Sequence, residues 1–314
     1  MKKVKWGILG AGNIAHRFAK SLENLENAEL YAIAVRNYDK GILFQNEFNC
    51  SIIYTDYEEF LNDPDINCVY ISLPHGLHYK YSLLALSKGK YVLCEKPATI
   101  NLEQMIEIER YSKENNRFFM EAMKQRFVPI YQDIKKDVKK LGEIKSITAK
   151  FCREENINPN SYYFNPGEGG CLLDTGIYCA SWLDDFSKGD IELIDKITNF
   201  EKSIDVYNNA KLKVGDIYLF LENGKEKTEP INCLIEGENG YIEVINHHRP
   251  QEYKICIKGE KEIIVRKEYE NDDFYSEIKH VNDAFISNKK ESDIMPLSSS
   301  VRCAKILDLI KNDK

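Results

Sequence analysis

A carboxylate and a phenol stand four residues apart in this sequence, directly after a pair of glycines. The segment is residues 169–178, Gly-Gly-Cys-Leu-Leu-Asp-Thr-Gly-Ile-Tyr, and the two groups belong to Asp174 and Tyr178. On a helix, residues at this spacing lie on one face about one turn apart, so both side chains could reach a single substrate atom. The segment therefore predicts half of an active site.

An ammonium group at the end of an apolar run is the candidate for the other half. Lys96 stands between Glu95 and Pro97, after residues 91–94, Tyr-Val-Leu-Cys, which predict a strand. In open α/β sheets, ligands bind at the carboxyl ends of the strands. Lys96 is therefore expected at a ligand site, although a lysine, an aspartate and a tyrosine taken singly are more often surface, helix and core residues.

A glycine-rich turn near the start of the chain predicts a dinucleotide site. Residues 10–15, Gly-Ala-Gly-Asn-Ile-Ala, follow a strand predicted over residues 5–9 and open an amphipathic stretch. Gly10 permits the tight turn, and Gly12 lets backbone N–H groups approach a pyrophosphate at the helix N-terminus. Asn13 and Ile14 complete the predicted cofactor contacts; the alternative is a glycine turn of purely structural use.

The end of the second predicted strand, residues 30–35, bears on which dinucleotide binds. An acid at this point would hydrogen-bond the ribose 2′-hydroxyl and repel a 2′-phosphate, but the sequence has Arg36. A guanidinium pairs with phosphate and stacks on adenine, so NADP is favoured over NAD. The alternative is a solvated surface arginine.

Two histidines follow the strand predicted over residues 68–73. His75 and His78 have a spacing that could hold a metal on one helix face, but no third ligand stands near them in sequence. We therefore predict no metal site, and expect both histidines to line the cofactor cleft together with Leu73 and Pro74. The alternative is an ordinary helix start.

Composition narrows the class of protein. The chain has 314 residues, 43% hydrophobic and 30% charged, which suits a globular protein of two domains. A net charge of −7 gives no reason to expect nucleic acid. Nine scattered cysteines without a Cys-x-x-Cys pair indicate a reducing compartment, and no apolar run has the length of a signal or membrane segment. These features predict a cytoplasmic protein.

The order of predicted elements divides the chain in two. Residues 1–122 alternate apolar runs at 5–9, 30–35, 68–73, 91–94 and 118–120 with amphipathic stretches, which predicts an α/β domain with a doubly wound parallel sheet. Residues 123–314 are strand-rich and predict an α+β domain with a mostly antiparallel sheet. Asn223-Gly224 and Asn239-Gly240 predict hairpin turns there. The last helix is a candidate to pack back on the first domain.

Together these motifs resemble the Gfo/Idh/MocA oxidoreductase family over nearly the whole chain. The family resemblance is carried by residues 10–15, 95–97 and 169–178. The chain is most similar to the dihydrodiol and NADP-dependent aldose (D-xylose) dehydrogenase branch, at residues 93–97, 120–123, 126–127, 173–179 and 291–297. The resemblance implies a Rossmann domain followed by a domain built on a large, mostly antiparallel sheet that is often used for dimerisation. A homodimer is therefore expected.

The resemblance also implies residue roles. Lys96, Asp174 and Tyr178 would surround the nicotinamide and substrate in a site between the domains, with Tyr178 as the general acid/base. Glu95 would adjoin the cofactor, and Arg126 the substrate. A lysine ammonium about 4 Å from a phenol favours its ionised form by up to roughly 4 kcal/mol at an effective dielectric constant of about 20, which brings proton exchange within reach near neutral pH.

The expected activity is hydride transfer between nicotinamide and the hydroxyl or carbonyl carbon of a sugar, polyol or trans-dihydrodiol. The branch usually has an aromatic residue after Met123, where this sequence has Lys124-Gln125, so an aromatic substrate loses a packing partner. The Asn- and Tyr-rich residues 156–164 suit a polyhydroxyl ligand. The alternatives are an aldose oxidoreductase with tightly bound NADP and a non-catalytic dinucleotide sensor, which would need none of the three catalytic residues.

Overall fold

The computed structural model describes residues 3–157 and 161–312, and the chain forms two compact units. The first comprises Met1–Thr99, Glu103–Phe127 and Glu270–Ser300. The second comprises Ile100–Leu102, Val128–Tyr269 and Val301–Lys314. The boundary predicted after residue 122 lies close to the crossing that follows Phe127. Helices and strands are numbered below along the whole chain.

The first unit is a doubly wound domain, as the sequence predicted. Its six-stranded sheet has the order β3-β2-β1-β4-β5-β6 and is parallel throughout. The strands are β1 Val4–Leu9, β2 Ala28–Ala34, β3 Ile52–Tyr54, β4 Cys68–Ile71, β5 Tyr91–Glu95 and β6 Phe119–Ala122. The helices are α1 Asn13–Leu22, α2 Tyr38–Phe48, α3 Tyr57–Asn62, α4 His75–Ser87, α5 Leu102–Glu114 and α8 Tyr275–Ile286.

Burial explains which strands were recognisable in the sequence. All residues of β4 and β5 are buried, because helices cover both faces of a parallel sheet and leave a continuous apolar run. β3 has three half-buried residues and left no such signal. It lies at the edge of the sheet beside β2.

One helix from late in the sequence completes the first unit. α8 packs against α1, β1 and β5, and Asn282 accepts a 3.2 Å hydrogen bond from the Trp6 indole in the core. Ser21 donates to Asp272 just before α8. Sequence analysis had assigned this segment to the second domain. From Val301 onward, the last helix α9, Leu297–Asn312, groups with the second unit.

The second unit is built on an eight-stranded sheet in the order β14-β13-β12-β11-β7-β10-β9-β8. Neighbouring strands are antiparallel except β7 and β10, so the prediction of a mostly antiparallel sheet is confirmed. The strands are β7 Ile144–Cys152, β8 Glu192–Glu201, β9 Ile204–Val214, β10 Ile217–Gly224, β11 Asn232–Gly237, β12 Gly240–Ile245, β13 Glu252–Ile257 and β14 Ile263–Arg266. Helices α6 Pro129–Val138 and α7 Ile177–Phe186 pack on it.

One predicted hairpin turn is wrong. Asn223 and Gly224 lie inside β10, opposite Asn208 and Tyr207 of β9, where the ladder continues to the end of the strand. An Asn-Gly pair favours a turn only when the flanking strands can reverse there, and here β10 continues in register with β7 as well. The other signal is correct, because Glu238 and Asn239 form the turn between β11 and β12.

Within the described ranges, none of the helices combines the length and apolar character that crossing a membrane requires. In the same part of the chain, no three His, Cys, Asp or Glu side chains are grouped so as to hold a metal ion. All nine cysteines are free thiols.

Candidate active site

The glycine turn between β1 and α1 has the geometry that an anion requires. Gly10 adopts a φ of +97°, and a Cβ at this residue would lie 3.1 Å from the Ser72 carbonyl oxygen. Gly12 precedes α1 without a side-chain cap, and a Cβ there would meet nothing within 4 Å. The first N–H groups of α1, from Asn13 and Ile14 on, therefore border open space at the positive end of the helix, which suits a pyrophosphate.

Arg36 follows the end of β2 and is exposed. It lines a shallow pocket of about 260 Å³ that also contains two tyrosines, Tyr57 and Tyr81, whose rings meet edge to face at 5.1 Å. Burial raises the pKa of Tyr57, and the charge of Arg36 opposes that rise. A guanidinium beside phenol rings suits a ligand that carries both a planar base and a phosphate.

The two predicted cleft histidines are buried where α4 begins. His75 is the first residue of α4, after Leu73 and Pro74. His78 is 1% exposed, with Nδ1 2.8 Å from the carbonyl oxygen of Pro97 and Nε2 2.6 Å from that of Leu73. Burial lowers the pKa of His78 even though both carbonyl contacts oppose the decrease. Its imidazole thus connects the β4–α4 loop to the segment that follows β5.

Lys96 is the only residue from Tyr91 to Thr99 that is not buried. Glu95 accepts hydrogen bonds from the Tyr70 hydroxyl and, at 3.3 Å, from the Lys96 N–H. The Lys96–Pro97 peptide bond is cis. A tightly packed backbone therefore presents a single partly exposed ammonium group.

The predicted substrate ligand Arg126 lies in the 3₁₀ turn Lys124–Arg126 and is 1% exposed. Burial raises the pKa of Glu121, while a hydrogen bond from Ala98 and the charge of Arg126 oppose the rise. Lys124 stands where the related branch usually has an aromatic residue, and its ammonium group forms a 2.6 Å ion pair with Asp273. Whether Arg126 touches substrate stays a prediction.

The glycine pair that precedes Asp174 is required by close packing within the second unit. A Cβ on Gly169 would lie 1.7 Å from the carbonyl oxygen of Tyr163, which accepts the N–H of Gly170 at 3.0 Å. Gly170 adopts a φ of +95°. Of the Asn- and Tyr-rich segment predicted to contact a ligand, residues 158–160 lie outside the described residues.

Asp205 of β9 holds the start of the turn that carries Asp174. One of its carboxylate oxygens accepts the Leu172 N–H at 2.6 Å and the Asn208 amide at 2.7 Å, and the Cys171 thiol lies 3.1 Å away. Burial and the nearby carboxylate raise the pKa of Cys171 far above its ordinary range, so this thiol is unreactive.

Asp174 lies in a π-helical turn, Leu172–Gly176, rather than in the regular helix that its spacing predicted. Tyr178 follows as the second residue of α7. From Leu172 to Ala180, these two side chains are the only ones that are not buried. Wide helical turns of this kind occur frequently at functional sites.

A buried lysine missed by sequence analysis contacts Asp174. The Lys225 ammonium lies 3.1 Å from Oδ2 of Asp174 and 2.6 Å from Oε2 of Glu155. Its side chain is 7% exposed. Lys225 directly follows Asn223-Gly224, the pair that was predicted to form a hairpin turn. Because of that prediction, Lys225 was not recognised as a residue at the end of a strand.

The Tyr178 ring lies in an aromatic group. It stacks at 5.9 Å on Phe151 of β7, and the His248 ring meets it at 5.9 Å at a steep angle. Phe151 and His248 are themselves 4.6 Å apart. His248 is a second neighbour of the site that the sequence did not indicate, because no motif links it to Tyr178.

Comparisons with known proteins agree with these features. The sequence profile described as "Oxidoreductase family, NAD-binding Rossmann fold", GFO_IDH_MocA, matches residues 4–123. The trans-1,2-dihydrobenzene-1,2-diol dehydrogenase of Xenopus tropicalis is 30% identical over 317 residues, covering 97% of this chain and 96% of the relative. The scyllo-inositol 2-dehydrogenase (NADP(+)) IolU of Bacillus subtilis (strain 168) is 27% identical, covering 97% of this chain and 95% of the relative.

Among solved structures, the fold is similar to that of KijD10, a 3-ketoreductase from Actinomadura kijaniata crystallised with NADP and TDP-benzene. The TM-score is 0.88 at 24% identity, and the match covers 99% of this chain and 97% of that chain. The relatives that match over nearly the full length, the family profile and the geometry of the glycine turn all indicate the same family. The chain belongs to the Gfo/Idh/MocA oxidoreductase family and has its NAD(P)-binding Rossmann fold.

Proposed function

We propose that this protein is an NADP-dependent dehydrogenase or reductase that acts on a CH–OH group of a sugar, polyol or related diol. The observation that carries the proposal is the exposure pattern of three ionisable side chains. Lys96, Asp174 and Tyr178 are each partly exposed within segments whose other residues are buried. An ionisable group that packing leaves accessible in this way is a candidate to meet a ligand.

The residues of the first unit fit a dinucleotide. The α1 N-terminus beyond Gly12 would hold the pyrophosphate, and Arg36 with its neighbouring tyrosines would hold the adenosine end. A guanidinium rather than an acid after β2 supports NADP, the cofactor named for the inositol dehydrogenase relative. When bound, the nicotinamide would supply the hydride donor or acceptor.

The chain's own residues would handle the proton and the substrate. Tyr178 would exchange a proton with the substrate hydroxyl, and the Lys96 ammonium would favour the phenolate and stabilise a developing alkoxide. Asp174 would accept a hydrogen bond from a substrate hydroxyl. The curated relatives named above are dehydrogenases of a cyclic diol and of an inositol, which supports a substrate with neighbouring hydroxyl groups.

The setting that we propose is a homodimer in the cytoplasm. The support is the resemblance to a family whose second-domain sheet often forms a dimer, together with nine free thiols. Size-exclusion chromatography with light scattering would test the dimer, and a mass of one 36.4 kDa chain would contradict it.

The test of the activity is reduction of NADP+ and NAD+ against aldoses, polyols and dihydrodiols, with wild type and Tyr178→Phe side by side. We expect NADP-dependent turnover that falls at least about 100-fold in the variant, while NADP still quenches the protein's fluorescence. Tyr241→Phe, a change in β12, is the control. Wild-type turnover in Tyr178→Phe would remove Tyr178 from the mechanism.

Two other outcomes identify the alternatives. NADP that copurifies with the protein and is reduced and reoxidised without leaving it would favour an aldose oxidoreductase. Cofactor binding without turnover of any compound in the panel would favour a sensor.

A further inference from the structure

We propose that Lys225 is a positioning residue that fixes the carboxylate of Asp174, in its ionised form, for contact with substrate hydroxyls. This inference rests on the proposed function and adds a residue to it. It is derived from the ionic cluster of Lys225, Asp174 and Glu155, all in the second unit.

Burial makes Lys225 dependent on its partners. Its side chain is 7% exposed, against 29% for Asp174 and 39% for Glu155. An ammonium group that has lost its water requires compensating carboxylates, and two lie within 3.1 Å. The attraction acts in both directions, so the same ammonium favours the charged form of Asp174.

The backbone at Lys225 is hydrogen-bonded to the neighbouring strands. The Lys225 N–H donates to the Val206 carbonyl at 2.8 Å, and the Arg153 N–H donates to that of Gly224 at 2.9 Å. β7 and β10 are adjacent and parallel, so their carboxyl ends lie side by side at the same end of the sheet. Glu155 and Lys225 therefore come from adjacent strand ends, while Asp174 comes from the π turn.

In this ion pair, the lysine is the fixed partner and the aspartate is the one that it positions. The sheet holds Lys225, and the ammonium holds Oδ2 of Asp174 at 3.1 Å, while 29% of the Asp174 side chain stays accessible. Asp205 fixes the backbone at the start of the same turn through Leu172. The turn is thus held at its backbone by one charged residue and at its functional carboxylate by another, which is the support that a precise binding group requires.

A purely structural ion pair would have different consequences. Loss of a structural ion pair lowers thermal stability but leaves the pH dependence of substrate binding unchanged. Loss of a counter-ion for Asp174 makes that carboxylate protonate at higher pH and lets it move, so substrate binding weakens first at acidic pH. The shape of the pH profile therefore separates the two roles.

The experiment compares Lys225→Met, Lys225→Arg and the control Lys227→Met on the best substrate of the panel. Lys227 pairs with Glu222 and Glu229 and is 41% exposed. We expect Lys225→Met to lower kcat/KM about 10- to 100-fold, mainly through KM, and to move the acidic limb of its pH profile upward by about one unit. Lys225→Arg should restore most of the loss, and NADP affinity should not change.

The same change in an Asp174→Asn background provides the decisive comparison. We expect Lys225→Met to alter kcat/KM less than about threefold there, since the carboxylate on which it acts is gone. An equal effect in both backgrounds, or an unmoved pH profile, would overturn this inference alone. Wild-type protein that turns over nothing in the panel would instead overturn the proposed function, and this role with it.

Discussion

A Cβ atom on Gly170 would lie 1.9 Å from Oδ1 of Asp205, so these two residues occupy adjoining space that leaves no room for a side chain. The other oxygen of Asp205 accepts the Leu172 N–H at 2.6 Å, at the entrance to the π turn that carries Asp174. The glycine pair of the motif is thus explained by packing: it lets a carboxylate from β9 reach the backbone and orient the turn.

Replacing Gly170 with alanine should displace Asp205 and disturb the turn. We expect Gly170→Ala to lower the free energy of unfolding by about 2–4 kcal/mol, from the steric clash together with the strain of a φ of +95°. Urea unfolding measures this. Gly167→Ala is the matched control, because Gly167 has a φ of +82° with nothing within 4 Å of a Cβ, and should cost about 1–2 kcal/mol. An equal loss of unfolding free energy in the two variants would show that Asp205 does not restrict residue 170.

Arg36 should decide between the two dinucleotides. Removing its charge with Arg36→Ser should raise KM for NADP+ about tenfold and leave KM for NAD+ unchanged, because only the 2′-phosphate loses a charged partner. Steady-state kinetics with both cofactors measure the ratio. Lys40→Ser, an exposed change in the first turn of α2, is the control. A cofactor ratio equal to that of wild type would place the 2′-phosphate elsewhere.

Glu277 should make the protein less stable as pH rises. It is 1% exposed, neither of its carboxyl oxygens has a hydrogen-bond partner within the described residues, and burial, then the charge of Glu95, raises its pKa well above 4.5. The folded state therefore keeps a proton that the unfolded state has released. Stability contributed by the neutral acid is complete below about pH 4.5 and is lost as pH rises toward the folded pKa.

Glu277→Gln should remove this dependence, since an amide stays neutral. Its stability relative to wild type should increase between pH 5 and pH 8 by about 1.4 kcal/mol for each pH unit over which only the folded wild type keeps the proton. Urea unfolding at the two pH values measures this, with the exposed Glu23→Gln as control. A difference that stays constant would mean that Glu277 is ionised in the folded protein.

His247 should make the protein less stable as pH falls. It is fully buried, its Nε2 lies 3.0 Å from the Lys150 carbonyl oxygen, and burial lowers its pKa from 6.5 to about 4. Between these values the unfolded state binds the proton and the folded state does not, so stability falls as pH decreases through this window. The loss from pH 7.5 to pH 5 should be about 2 kcal/mol.

The His247→Gln variant should lose this part of the pH dependence, whatever its absolute stability. Unfolding by urea at pH 7.5 and pH 5 gives the slope, and His16→Gln, a change at a partly exposed ring, is the control. Equal slopes in wild type and His247→Gln would mean that the buried imidazole accepts a proton in the folded state.

Much of the fold could be predicted because its signals are local. β4 and β5 are continuous buried runs, β1 is buried except at Lys5, and the glycine turn directly follows β1 and precedes α1. Some strands of the second sheet lack such a signal. In β9, buried residues alternate with half-buried or exposed ones, among them Lys211 and Lys213, so no continuous apolar run marks this strand. Its partner β10 ends in an Asn-Gly pair that indicates a turn in isolation.

For this protein, the sequence by itself determined the fold class, the family and the residue types available for chemistry, because these depend on periodicity and on motifs of a few residues. Only the tertiary structure decided which charged residues hold Asp174 and the turn that carries it. Lys225 and Asp205 are far from it in sequence, and no spacing rule connects them. They meet at the turn because β9 begins where its antiparallel partner β10 ends, and pairing between strands is a property of the folded chain.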